Sequence, residues 1–178
     1  MNKQTFKTEV GGKELTLEVG GLAEQANAAV LAKYGDTIVL GTAVMSDSDS
    51  TADYMPLKVD YEERFYAAGK ILGSRFLRRE GRPSDEAVLS GRLIDRTVRP
   101  LFDHRLRREL QVVATVLSID EENDPDFVAL VATSAALAIS DIPWNGPAAG
   151  IKVAHIGEKT VVNPTFAELQ SPDCVFEA

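Results

Sequence analysis

With one cysteine, Cys174, this 178-residue chain cannot form an internal disulfide, which fits a reducing, cytoplasmic setting. In that reading Cys174 is a small buried hydrophobe near a late strand and not a catalytic thiol. The two histidines, His104 and His155, are far apart and lack cysteine or histidine neighbours at ligand spacing, which argues against a zinc site. Aromatic residues make up 7% of the chain, and the one tryptophan, Trp144, reads as a packed residue at a helix exit. No apolar run reaches the length needed to cross a membrane, and Met1 to Phe6 carries no apolar signal region. A nucleophile elbow, a lysine-bearing phosphate loop and a dinucleotide fingerprint are all missing. What remains is the composition of an ordinary globular domain, 44% hydrophobic and 26% charged, of a length that suits one domain spanning 1–178.

Charge is unevenly distributed along that domain. The net charge is −8, yet all eleven arginines fall between Arg64 and Arg108. With Lys70 that window holds twelve cations against five carboxylates, a net +7, while the rest of the chain holds seven lysines and 22 carboxylates, a net −15. Such asymmetry points to one basic surface on an acidic body. The bias to arginine points further, because a planar, permanently charged guanidinium matches phosphate with two parallel hydrogen bonds.

The hydrophobic pattern opens as a β meander. Strands are expected over 5–10 and 13–19 around Gly11-Gly12, and over 28–34 and 37–44 around Gly35-Asp36. Ser46 to Thr51 reads as a polar loop and 57–61 as a half-exposed strand. Residues 66–83 are too rich in glycine to be one helix. Ser84 then caps a helix with Asp85 and Glu86 in its first turn. Its expected core stripe is Val88, Leu89, Leu93, Val98 and Leu101, with Pro100 at its end. Arg92, Arg96 and Arg99, spaced i, i+4, i+7, line one face. The second half reads as a βαβ unit: a strand over 111–118, a helix opened by Asp124-Pro125 that carries no charge from Phe127 to Ile139, and a hairpin of 149–154 with 159–162 around Gly157. Thr165 and Glu168 form a capping box, and a strand begun at Asp173 has no evident partner, so the domain is expected to be incomplete at its C-terminus.

Two segments invite chemistry. Asp120 to Asp126 is rich in acids, but Pro125 and Val131 stand where a calcium loop needs glycine and a closing glutamate, so a solvated loop feeding a helix cap is favoured and no metal ligand is assigned. In Phe76-Leu77-Arg78-Arg79 an aromatic ring stands beside paired arginines. The ring can face a base and the guanidiniums can hold a backbone, as single-stranded RNA requires. Phe76 can equally be read as a core residue beneath an ion-paired loop.

The run from Pro56 to Arg64, through Gly69-Lys70, Gly73-Ser74, Phe76 to Ser84 and Arg92 to Arg96, to Arg99-Pro100-Leu101-Phe102, closely resembles the first RNase PH-like core of the bacterial polynucleotide phosphorylases. Asn123 to Asp126, Ser134 to Leu137 and Ile142 to Pro147 extend the resemblance over almost the whole chain. It implies an α+β fold, an RNase PH-like β-α-β-α core with mixed sheets and packed helices. It also implies homotrimeric rings that degrade RNA from the 3′ end with inorganic phosphate as co-substrate and magnesium assisting, releasing nucleoside diphosphates, as in mRNA degradation. Single-stranded RNA is the implied partner, with no membrane and no preference for DNA.

In that family the second core keeps the chemistry, so this chain alone is expected to be inactive, with no catalytic residue and its parent's magnesium ligands beyond Ala178. Phe76, Leu77, Arg78 and Arg79 match the channel-lining loop, although Leu77 stands where a second phenylalanine is common. Arg75, Arg82, Arg92, Arg96 and Arg99 are expected to support phosphate or subunit contacts. Asn123-Asp124-Pro125-Asp126 replaces a serine-rich phosphate turn, and its carboxylates would repel phosphate. A stand-alone phosphorolytic ribonuclease and a non-catalytic scaffold are the alternatives.

Overall fold

The computed structural model describes residues 3–71, 73 and 81–177. Four antiparallel strands open the fold: β1 (Gln4–Val10), β2 (Lys13–Val19), β3 (Ala28–Tyr34) and β4 (Thr37–Asp49). The two expected turns close the first and third hairpins, with Gly11, Gly12 and Gly35 at positive φ. Next come β5 (Leu57–Glu62), helix α1 (Asp85–Val98) and β6 (Arg108–Ser118). The six strands form one sheet in the order β1-β2-β3-β4-β6-β5, with only β5 and β6 parallel. Helix α2 (Pro125–Ile139) follows. A three-stranded sheet is then built from β7 (Val153–Ile156), β8 (Lys159–Val162) and β9 (Cys174–Glu177), with the single-turn helix α3 (Phe166–Leu169) before β9. The result is an α+β fold of mixed sheets and packed helices.

The core lies between α2 and one face of the large sheet. Val30, Ala32, Val39, Ala43, Val112, Ala114 and Val116 meet Val128, Ala132, Ala136 and Leu137, all buried. Gly41 sets how closely α2 approaches β4, because a Cβ there would stand 2.6 Å from the Ala132 carbonyl carbon. Trp144 is a packing residue, as expected. Its Nε1 donates to the Val98 carbonyl at 3.1 Å and its ring tilts against Phe102.

Several expectations need correction. The βαβ unit is β5-α1-β6, since β5 and β6 pair in parallel across α1, whereas β6 and β7 belong to different sheets. The polar run after Val44 is not a loop from Ser46. β4 extends to Asp49, past a register shift, because Asp49 pairs with Arg108 on β6. β7 starts at Val153 instead of Ala149, and β9 does have a partner, pairing antiparallel with β7. Cys174, on β9, is partly exposed and not buried.

Helix α1 sits in a different phase from the expected one. Its buried stripe is Ala87, Gly91, Ile94 and Val98, while Val88, Leu89 and Leu93 are 45%, 66% and 49% exposed. Ala87 and Gly91 face inward where α1 lies close on β5, with Ile94 and Val98 buried along the same stripe. A Cβ at Gly91 would already be in contact with the Tyr61 Cβ at 3.5 Å.

Candidate nucleic-acid interface

Beyond β5 the chain makes a 3-10 turn, Phe65–Ala68, which ends where Gly69 takes a left-handed conformation. The turn is tied to the end of β6 by the Ile119 amide, which donates to Ala67. Tyr66, 56% exposed, stands on it, followed by exposed Lys70. An exposed ring beside the arginine-rich segment escaped the reading of the sequence, where Phe65-Tyr66 carries no period that separates a surface from a core pair. Arg75, Phe76, Leu77, Arg78 and Arg79 lie outside the described residues.

From Gly81 the chain leads into α1 at Ser84, whose hydroxyl oxygen accepts from the Ala87 amide at 3.0 Å and whose hydroxyl donates to Glu63 at 2.8 Å. Arg82 precedes this cap and is exposed. Arg92 and Arg96 project from the outward face of α1, beside Leu89 and Leu93. Arg82, Arg92 and Arg96 have no carboxylate partner among the described residues.

Arg99 parts from the other two helix arginines. Its Nη2 donates to Asp95 at 2.6 Å and to the Leu57 carbonyl at 3.1 Å, and its Nε donates to the same carboxylate, so it clamps the helix end to β5. The remaining described arginines are also engaged. Arg64 pairs with Glu62, and Arg108 with Asp49 at 3.7 Å. Arg105 pairs with Asp103 at 2.7 Å and lowers that carboxyl to about 2 through its side-chain hydrogen bonds. Arg107 donates to the carbonyls of His104 and Leu106.

In the acidic turn before α2, three carboxylates are bonded within the protein. Burial alone would raise the Asp120 carboxyl, but the amides of Asn123, Glu122 and Asp36 and the Asn123 side chain outweigh it and hold Asp120 well below the usual carboxylate range. Lys13 donates to the Asn123 Oδ1 at 2.6 Å. Asp124 caps α2 by accepting from the Asp126 amide at 2.8 Å and pairs with Lys152, whose ammonium is pushed down by burial. Asp126 accepts from the Ser90 hydroxyl at 2.9 Å. The expected helix cap is present at Asp124, but the loop is only partly solvated: Glu121 and Glu122 are exposed, whereas Asp120, Asp124 and Asp126 are bonded within the protein. Among the described residues there is no group of three or more His, Cys, Asp or Glu side chains that could hold a metal ion. Nor is any helix among them long and apolar enough to cross a membrane.

Known proteins resemble this chain in sequence and in fold. The description "3′ exoribonuclease family, domain 1" matches residues 11–143. The polyribonucleotide nucleotidyltransferase of Exiguobacterium sibiricum is 51% identical over 96% of this chain and 23% of its own length. That of Staphylococcus saprophyticus is 53% identical over 93% of this chain and 24% of its own length. The chain thus spans about a quarter of the length of these curated relatives. Among solved structures, rice (Oryza sativa) Rrp46 superposes with a TM-score of 0.68 at 17% identity, covering 88% of this chain and 70% of that one. A chain of the Archaeoglobus fulgidus exosome with RNA bound to the active site superposes with a TM-score of 0.58 at 18% identity, covering 94% and 68%. The chain therefore belongs to the 3′ exoribonuclease family and carries the RNase PH fold of that family's domain 1.

Proposed function

We propose that this chain is the RNA-binding, ring-forming core of a polyribonucleotide nucleotidyltransferase. The parent enzyme degrades RNA from 3′ to 5′ with inorganic phosphate, releases nucleoside diphosphates, uses magnesium held by residues outside this chain, and works as a cytoplasmic homotrimer. The observation that carries the reading is the separation of the arginines into two sets. Arg99, Arg105 and Arg108 are neutralised by carboxylates of their own chain, whereas Arg82, Arg92 and Arg96 stand exposed without one among the described residues. Guanidiniums held along one helical face match the repeat of a flexible polyanion. Phe76, Leu77, Arg78 and Arg79, which precede the helix in the chain, are proposed to contact the RNA directly, with Arg75 in support. The exposed Val88, Leu89 and Leu93 on the same helix supply the apolar area that a subunit contact in a ring requires.

The chain by itself is proposed to lack catalytic activity, because Asp120, Asp124 and Asp126 of the turn are engaged internally and the turn's carboxylates would repel phosphate. Titration of the chain with single-stranded RNA at several salt concentrations tests the reading. Direct phosphate contacts give log K falling with log salt at a slope of about −0.7 per contact. Absence of salt-dependent binding favours a scaffold instead, and phosphate-dependent release of nucleoside diphosphates by the isolated chain would show that it is an enzyme in its own right.

A further inference from the structure

Helix α1 packs on β5, an outer strand of the large sheet. Its end is held by Trp144 on the Val98 carbonyl and by Arg99 on the Leu57 carbonyl. Its start is held by the Ser84 hydroxyl, which donates to Glu63. Between them, one further tie lies on its second turn. Ser90, next to the buried Gly91, donates its hydroxyl to Asp126 at 2.9 Å, across to the first turn of α2. Burial first, and the Asp126 carboxylate second, push up the phenol of Tyr61 on β5, which is 4% exposed. The bond from Ser90 to Asp126 thus ties α1, which packs on β5, to α2. Two residues beyond Ser90 stands Arg92, and one turn further Arg96, the two exposed guanidiniums of the helix.

We propose that Asp126 is a positioning residue for RNA binding: its carboxylate fixes α1 against the body of the domain, so that Arg92 and Arg96 are held in place for successive phosphates. This rests on the RNA-binding reading above and adds to it a residue that touches no RNA. A carboxylate at this point has two effects. It complements the positive end of α2, and it accepts from a hydroxyl donor on a neighbouring helix, which gives a stronger bond than a neutral acceptor would. Loss of that bond leaves the number of phosphate contacts unchanged but lets their spacing wander.

The experiment uses the whole chain and a short labelled oligoadenylate in a salt series, with amide hydrogen exchange read over α1 and α2. Because Asp126→Ala removes a first-turn acid and can unfold α2, Ser90→Ala is the principal variant. It is expected to weaken RNA binding about fivefold, the scale on which non-contacting residues modulate binding, with an unchanged salt slope and faster exchange confined to α1. Ser90→Thr, which keeps the hydroxyl, restores both. Wild-type affinity and wild-type exchange in Ser90→Ala overturn the proposal, as does a slope reduced as far as in Arg92→Ala with Arg96→Ala. If the unmodified chain binds no RNA, the proposed function falls and the RNA half of this proposal falls with it. The exchange rates of Ser90→Ala still decide whether Asp126 holds the helix.

Discussion

The two long helices of this domain solve opposite problems. α2 carries no charge from Phe127 to Ile139 and lies across the sheet with most of its residues buried, so its rotation about its own axis is settled by contact on nearly every side. α1 lies at the sheet edge and buries one stripe, Ala87, Gly91, Ile94 and Val98, leaving leucines and arginines outside. A helix that serves the core is apolar all round. A helix that serves a surface can anchor itself by one narrow stripe and keep its other large side chains for a partner.

The sharpest break in that comparison is a leucine truncated on each helix. Leu137→Ala, at a side chain 1% exposed, is expected to cost about 2–5 kcal/mol. Leu89→Ala, at one 66% exposed, is expected to stay within about 0.5 kcal/mol of wild type. Urea unfolding measures both, and equal losses would contradict the assigned phase of α1.

Next come the two glycines beneath the helices. Gly41→Ala forces a Cβ to 2.6 Å from α2 backbone and is expected to destabilise by about 1–3 kcal/mol. Gly91→Ala meets only ordinary contact at 3.5 Å and removes a glycine from a helix interior, so it is expected to be neutral or to stabilise by up to about 1 kcal/mol.

The turn leading into α2 supplies a pH test. Asp120 is depressed in the folded state, so its contribution is fully present above the unfolded carboxylate value of about 3.9 and is lost as pH falls through the lower folded value. Asp120→Asn is expected to cost about 1–2 kcal/mol near neutrality and to flatten the loss of stability in acid, read from melting temperatures across the acid range. Ser84, which opens α1 with a neutral hydroxyl, imposes no such dependence.

The smallest effect on stability and the most specific effect on binding come from the helix arginines. Arg92→Ala with Arg96→Ala is expected to make the salt slope of RNA binding shallower by about 1.4 while leaving stability within about 0.5 kcal/mol. Arg99→Ala is expected to do the reverse, because its guanidinium is committed to Asp95 and the Leu57 carbonyl.

Much of this was legible in the amino acids. Gly11-Gly12 and Gly35-Asp36 placed the first and third hairpins, Asp124-Pro125 placed the start of α2, and the Thr165–Glu168 capping box is present as read. The phase of α1 was not legible, because Val88, Leu89 and Leu93 make as good a stripe on paper as Ala87, Gly91, Ile94 and Val98. Only the closeness of β5 decides between them. The topology after β6 was also hidden, since strand patterns do not state their partners and β7 pairs with strands of a separate sheet. For the candidate site, the spacing of Arg92, Arg96 and Arg99 gave the shared face but not the bond that draws Arg99 toward β5.

The strand order of the large sheet also bears on solubility. Among the described residues its margins are β1 and β5, whose outer rims have no neighbouring strand and could pair with an extended chain that drifts past. Both margins carry alternating charge, Lys7 and Glu9 on one and Lys58, Asp60 and Glu62 on the other. A stray strand laid along either rim would have to strip water from that charged row, which guards the sheet against growth into aggregates.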